Sequence, residues 1–472
     1  MKLHPMFILA STLVIVSCGG GGGEQVAGID SRGGPPSAVG VVAKGSITGF
    51  GSVIVNGLTY DTNSATFTID GSPGTQADLA VGDVVVITGT TTSGAAPIAS
   101  TVTFDDAVEG PISEIDLAAE TLTVLGQLVR VDGATSFDDS IIPRSLDGLS
   151  VNDVVEVSGF FLADGSISAT RIEVKAAGGE LELTGTVSNA GAGSFDINGF
   201  VVDFSGAMLE NFPNGAPENG QRVEAKGNGL GGAGELIATR VEYKDGDFGD
   251  DGDEAEVEGF ITAFSSAADF EVEGIRVTAN AQTVYENGSS ADLALNRKVE
   301  VEGSINASGV LIAENIEFRA SGAVRVEALV TDVQASQVTI LGIDIRVDDA
   351  TRYEDSSVMD LENFDFLDIS VGDYLEVRGY EDQNGLIATQ IDRDDFQGDV
   401  ALRGFVESVA DPDFVILGVT ISTSAATDFT DNDGITDLTP LQFFGQANGR
   451  LVEASGTLNG AIINAGEVEF ED

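Results

Sequence analysis

Any chemistry in this chain falls to carboxylates. Of its 472 residues, 77 are Asp or Glu and 22 are Lys or Arg, while His4 and Cys18 are the only residues of their types. The densest acidic stretch, KDGDFGDDGDEAE, carries Asp245, Asp247, Asp250, Asp251 and Asp253. Calcium takes six to eight oxygen ligands, and acids interleaved with glycines can supply them, so these five form the candidate metal site. The spacing is not that of an EF-hand loop: counted from Asp245, Asp250 falls where the sharp-turn glycine belongs. A second cluster, TDFTDNDGITD, holds Asp428, Asp431, Asp433 and Asp437, with Phe429 where a first ligand would stand. The structural alternative for both clusters is a solvated acidic loop or linker.

Paired carboxylates can also cleave glycosidic bonds, and Glu156, Glu224, Glu300, Glu376 and Glu453 recur in VEV-type segments. Each alternates with apolar neighbours, which places it on the outer, solvated face of a strand and makes it part of a repeated scaffold. His4 lies in a segment expected to be removed, so Ser-His-Asp triads, Cys-His pairs and zinc sites built on His or Cys drop out. No catalytic residue is assigned and the chain is read as a non-enzyme. A formal charge of −55 repels phosphate backbones, which argues against nucleic acid as a partner. With 42% hydrophobic residues the chain can nevertheless bury a core, unlike a disordered acidic tail.

The elements that must position these residues are strands. Six lines alternate polar and apolar residues around a glycine: FGSVIVNGLTYD, ETLTVLGQLVRVD, GSFDINGFVVDF, ADFEVEGIRVTA, QVTILGIDIRVD and DFVILGVTIST, centred on Gly57, Gly126, Gly199, Gly274, Gly342 and Gly418. Period-two alternation indicates strands with one buried face, and Asn56-Gly57 and Asn198-Gly199 are hairpin signals. A second landmark follows each, as in VGDVVVITG or VGDYLEVRG, ending at Gly89, Gly159, Gly227, Gly303, Gly379 and Gly456. Each unit thus has three strands, a variable connection and two more strands. Without a useful amphipathic helix, closing the sheet on itself removes its edges. The expectation is all-β: a tandem array of six small closed, OB-like barrels of five to six strands, at 44–107, 108–178, 179–245, 254–321, 322–397 and 398–472, with an acidic linker at 246–253. Phe67, Phe137, Tyr285, Tyr353 and Phe429 recur after the third strand and are read as plugs at the barrel ends rather than sugar platforms.

The pattern VEGxI, FxVxGxxVxxDxxT, LxxGDxVEVxG and GxLxAxxIE resembles the repeated domain of unknown function 5666, found in tandem in bacterial envelope lipoproteins. That resemblance spans nearly all of 44–472 and implies an envelope location with no established catalytic residues. The N-terminus agrees: MFILASTLVIV is too short to span a bilayer but suits an export signal, and VIVSC resembles a lipobox. It implies a signal peptide at 1–17, lipid on Cys18 and a Gly-rich tether over 18–43. Gly19 after the cysteine favours the outer membrane. The functional expectation is a lipid-anchored, non-catalytic structural or interaction array, with envelope polysaccharide, peptide or protein, or calcium, as alternative ligands; a carboxylate hydrolase is the remote alternative.

Overall fold

In each of the six lines the hairpin turn places two successive residues at positive φ: Asn56-Gly57, Leu125-Gly126, Asn198-Gly199, Glu273-Gly274, Leu341-Gly342 and Leu417-Gly418. Such a turn matches the twist of the strands it joins. The second landmark glycine has another cause. At Gly159 the ladder between Val154–Phe161 and Ile167–Lys175 slips by one residue, and a Cβ there would lie 2.4 Å from the carbonyl oxygen of Ser168. The same slip occurs at Gly89, Gly227, Gly303, Gly379 and Gly456. The bulge bends the strand and sharpens its twist.

The computed structural model describes residues 38–472 apart from 93–95, 118, 245–247, 320–323, 349, 360, 362, 383–384, 397, 432–435 and 472. Strand accounts for 57% of the described residues, and the one α-helix among them is the five-residue Pro440–Phe444. Unit 2 shows the order within a unit. Its opening strand, Val108–Asp116, pairs with Thr121–Val124, which pairs with Gln127–Arg130; this runs parallel to Ile167–Lys175, and Val154–Phe161 returns the coil to the opening strand. A short strand in the variable connection, Ser136–Phe137, adds to Ile167–Lys175 in parallel.

The expectation of six separate closed barrels is corrected. The described strands join into three continuous sheets of 13, 12 and 12 strands, each made from two units, so the chain is a β-solenoid-like stack of coils. The reason lies in the opening strand. The first half of Val108–Asp116 pairs with Val154–Phe161 and the second half with Thr121–Val124, which leaves one edge of the first half unpaired within its own unit. An open edge is a template for another strand, and Leu181–Ser188 of unit 3 takes it, pairing Glu182 with Glu109 and Leu183 with Val108. The opening strands of units 5 and 6, Val324–Gln334 and Val400–Ala410, pair in the same way. Unit 1 does not pair with its sequence neighbour: Val39–Gly49 runs parallel to Glu254–Ser266 of unit 4.

The cores follow the sheets. One apolar cluster runs through units 2 and 3 and another through units 5 and 6. Units 1 and 4 keep a cluster each, although Val42 of unit 1 belongs to that of unit 4. Phe67, Phe137 and Phe429 are buried in these clusters, and Tyr285 and Tyr353 pack against them. Among the described residues no helix is long and apolar enough to cross a membrane, which says nothing about strands.

Candidate functional site

Edge-to-edge pairing of opening strands turns the outward face of each into an interior seam, and this decides where the charges go. At the seam of units 2 and 3, the register lines up Glu173, Glu156, Glu109, Glu182, Lys226 and Arg240 in one row across five ladders. Lys226 Nζ lies 2.6 Å from Glu182, and Lys175 Nζ lies 2.7 Å from Glu156. Burial nevertheless pushes Glu156 up to about 8. Above the row, Asp106 sits in the link between units 1 and 2, 1% exposed. Its backbone N–H donates to Asp70 Oδ1 at 3.3 Å. Carboxylate oxygens of Asp70, Asp106 and Glu182 lie within 4.8 Å of one another, and so do those of Asp106, Glu109 and Glu156. Neither side-chain oxygen of Asp106 has a hydrogen-bond partner. Burial holds its carboxyl well above the usual carboxylate range, with Glu156, Asp70, Glu182 and Glu109 adding to the effect.

A second group, Glu256, Glu300 and Glu302, lies where units 1 and 4 share a sheet. Burial and then the neighbouring Glu300 push Glu256 up to about 10, which makes it a neutral acid at ordinary pH. Glu300 in turn accepts from Arg319 at 2.7 Å. The seam of units 5 and 6 is built differently: Arg378, Arg325 and Arg403 form the cross-strand row. Arg325 reaches Glu327 at 2.6 Å, Glu453 at 2.7 Å and Glu376 at 3.0 Å.

The recurrent glutamates therefore do not lie on a solvated face, and that expectation is corrected. Glu224 is 1% exposed, Glu156 and Glu300 are also buried, and Glu376 and Glu453 are half-buried. The faces point out of each coil, but neighbouring coils cover them. One signal in the sequence could have shown this. Few cations are available, yet they stand two residues from Glu224 in VEAK and Glu376 in LEVR, and from the neighbouring Glu173, Glu317 and Glu327 in IEVK, IEFR and VRVE, where period-two geometry puts both on one face. A fully hydrated face has no need of such matching.

The predicted calcium ligands are not brought together in the same way. Asp245 and Asp247 lie outside the described residues, as does Asp433. Asp250, Asp251, Gly252 and Asp253 form a turn in which the Asp250 N–H donates to the Asp253 side chain at 2.8 Å and the Asp253 N–H to the Asp250 carbonyl at 3.0 Å. Asp250 and Asp251 are exposed. Ala80 with Asp83, Ser150 with Asp153 and Ser370 with Asp373 repeat the side-chain contact ahead of the fourth strand of their units, so it is a turn device of the fold. Asp428 pairs through its backbone with Glu467, and Thr430 bridges to Asp437.

A cavity of about 570 Å³ opens where units 1, 2, 4 and 5 meet, with Ser46, Glu258, Lys298, Arg319 and Arg352 in its wall. Glu258, Lys298, Arg319 and Arg352 have partners in the protein. Burial alone would raise Glu258, but Lys298 at 2.8 Å and the Ser46 N–H at 3.0 Å hold it down at about 2. Arg352 donates to the carbonyls of Thr170 and Ala134.

The six coils coincide with six matches to a protein family described as a domain of unknown function (DUF5666), at residues 39–103, 109–173, 184–242, 258–317, 327–392 and 403–469. The chain belongs to this family. Each DUF5666 segment begins within an opening strand, or three residues past its start, and ends in the last strand of the same coil, so the family unit and the structural unit agree. No curated protein matches the chain. Among solved structures, one titled "drosophila Unr CSD456" is similar at 13% identity over 44% of this chain and 95% of that one, with a TM-score of 0.12; so low a score carries no argument about the DUF5666 stack.

Proposed function

We propose that this structural repeat protein is a non-catalytic scaffold of the cell envelope, tethered through lipid on Cys18 and displaying an acidic surface for structure or interaction. The observation that supports the scaffold reading best is the placement of its buried charge. Ion pairs run from unit to unit: Lys44 with Glu273, Lys244 with Asp105, Arg144 with Asp392, Arg325 with Glu453 and Arg403 with Glu120. Support for the anchor is the apolar run before Cys18 and the glycines after it, with Gly19 favouring the outer membrane. Metabolic labelling with an alkynyl fatty acid tests it: label is expected on the wild-type chain and none on Cys18→Ser, and an unlabelled wild type would overturn the anchor. Limited proteolysis tests the stack, with a resistant product larger than two units expected and single-unit fragments counting against it.

A second reading, a binding module for envelope polysaccharide or peptide, is favoured by one observation. Large apolar side chains are exposed in the variable connections: Ile142 at 82%, Val358 at 87%, Leu367 at 88% and Leu441 at 82%. Exposed apolar groups on connecting loops are a common form of contact surface. Glycan and peptide arrays probed with the full chain and with a Val358→Ser, Leu367→Ser variant separate the readings: signal lost in the variant supports binding, and no signal from either supports the plain scaffold.

A further inference from the structure

The acids around Asp106 come from three different units. Asp70 lies in a turn of unit 1, Asp106 in the link that follows, Glu109 and Glu156 in unit 2 and Glu182 in unit 3. The cations facing them are Lys226, on Glu182 and on the Asp70 carbonyl, and Lys175, on Glu156 and Glu173. Lys244 is engaged by Asp105 and Glu224. None of these is paired with Asp106, whose two oxygens are buried, unpartnered and directed at four other carboxylates. A buried carboxylate without a partner is costly, and like charges directly opposed across strands, as Glu109 and Glu182 are, add to that cost.

We infer that Asp106 is the centre of a hard divalent cation site, of the calcium class, with Asp70 and Glu182 on one side and Glu109 and Glu156 on the other, binding units 1, 2 and 3 together. Asp106 is shared by the two groups, so either one offers three carboxylate oxygens, the donor type calcium takes, with second carboxylate oxygens able to extend the set. The donor set has no nitrogen or sulfur, which disfavours zinc and copper. The site differs in place and residues from the acidic turn at 250–253. It also differs from the Glu256 group, where Arg319 already pairs with Glu300. A bound ion would remove the mutual repulsion of five acids at the point where the chain passes from the first unit to the second.

The test is calcium titration of the chelator-treated full chain at pH 7, followed by calorimetry and thermal unfolding. The expected result is one saturable site distinct from weak surface binding, and a rise in Tm of about 3 °C at calcium 100-fold above Kd. Asp106→Asn should abolish the saturable site while leaving the metal-free Tm unchanged or raised, because it removes a buried acid. Should that variant fail to fold, Glu109→Gln, at the half-buried rim, is expected to weaken binding about tenfold, the effect of one lost ligand at ~1.4 kcal/mol. Glu302→Gln in the other group should leave affinity unchanged. A wild type with no saturable site up to millimolar calcium, or an Asp106→Asn chain that binds as the wild type does, overturns the inference and leaves Asp106 as a protonated acid.

Discussion

The seam of units 2 and 3 and the seam of units 5 and 6 are made by the same strands of the same repeat, in comparable register, yet their charges are opposite in kind. In the first, Glu109 stands across from Glu182; in the second, Arg325 stands across from Arg403. Both juxtapositions set like charges against each other. The arginine pair is relieved within the protein, since Arg325 holds three glutamates and Arg403 reaches Glu471 at 2.9 Å and Glu120 of unit 2 at 3.2 Å. The glutamate pair is relieved only in part, by Lys226 and Lys175, and leaves Asp106 with nothing. A repeat that conserves its backbone geometry can therefore carry quite different electrostatics at equivalent joints. The joint with surplus acid needs a proton or a cation from outside.

The largest expected effect breaks the better-neutralised joint. Arg325→Met leaves Glu327, Glu376 and Glu453 without their shared cation, and loss of one partner of a buried ion group costs about 3–5 kcal/mol. Urea unfolding should show this as a lower midpoint, and an unchanged midpoint would mean the seam is held by apolar contact alone. The acid-rich joints are expected to respond to pH instead. Glu156 is raised to about 8, Glu300 to about 7 and Glu256 to about 10, each chiefly by burial. Raised carboxyl groups bind more protons folded than unfolded, so their stabilisation is present below their unfolded values and is lost as pH rises through their folded values of about 7 to 10. With chelator present, Tm should be higher at pH 5.5 than at pH 9. Glu258 and Asp355, held down at about 2, act in the other direction and matter only as pH falls toward 2.

Smaller changes sharpen the comparison. Gly159→Ala and Gly379→Ala force a Cβ to 2.4 and 2.1 Å from a carbonyl oxygen. Each should cost about 1–3 kcal/mol, and the two should be alike because the bulge does not depend on charge. Glu256→Gln removes an acid that must take up a proton to fold, a cost that grows with pH up to about 10, so the variant should gain more stability at pH 9 than at pH 5.5, by about 1 kcal/mol or more. Asp251→Asn, on an exposed turn, should stay within about 0.5 kcal/mol at either pH.

Strands, turns and repeats were legible because each rests on a local cause. The alternation in FVILGVTIST is read directly as a hairpin, and Leu417 at positive φ shows that glycine alone can specify the turn. The bulge glycines were visible as landmarks, though their cause, contact with the partner strand's carbonyl, is not a sequence property. What escaped the sequence was the fate of the opening strand's free edge. Glu109 looks no different whether its neighbour is water or Glu182, and only the pairing of units decides it. For the same reason the acidic run at 245–253 carries the sequence pattern of a metal site, while Asp106, flanked by Asp105 and Ala107 in an ordinary link, does not.

The parallel pairing of units 1 and 4 also bears on how the chain can reach this state. The Ser46 hydroxyl and N–H both bond to Glu258, 212 residues further along the sequence, and between them units 2 and 3 complete a sheet of their own. As the polypeptide emerges from its N-terminus, the first unit must wait with an open edge until the fourth has been made. Contacts of such separation slow folding, and an unfilled edge is the place where a foreign strand can add. The first unit is therefore finished only after the second and third have been made, and a chain cut short before Glu254 would carry a vacancy that a second copy could fill.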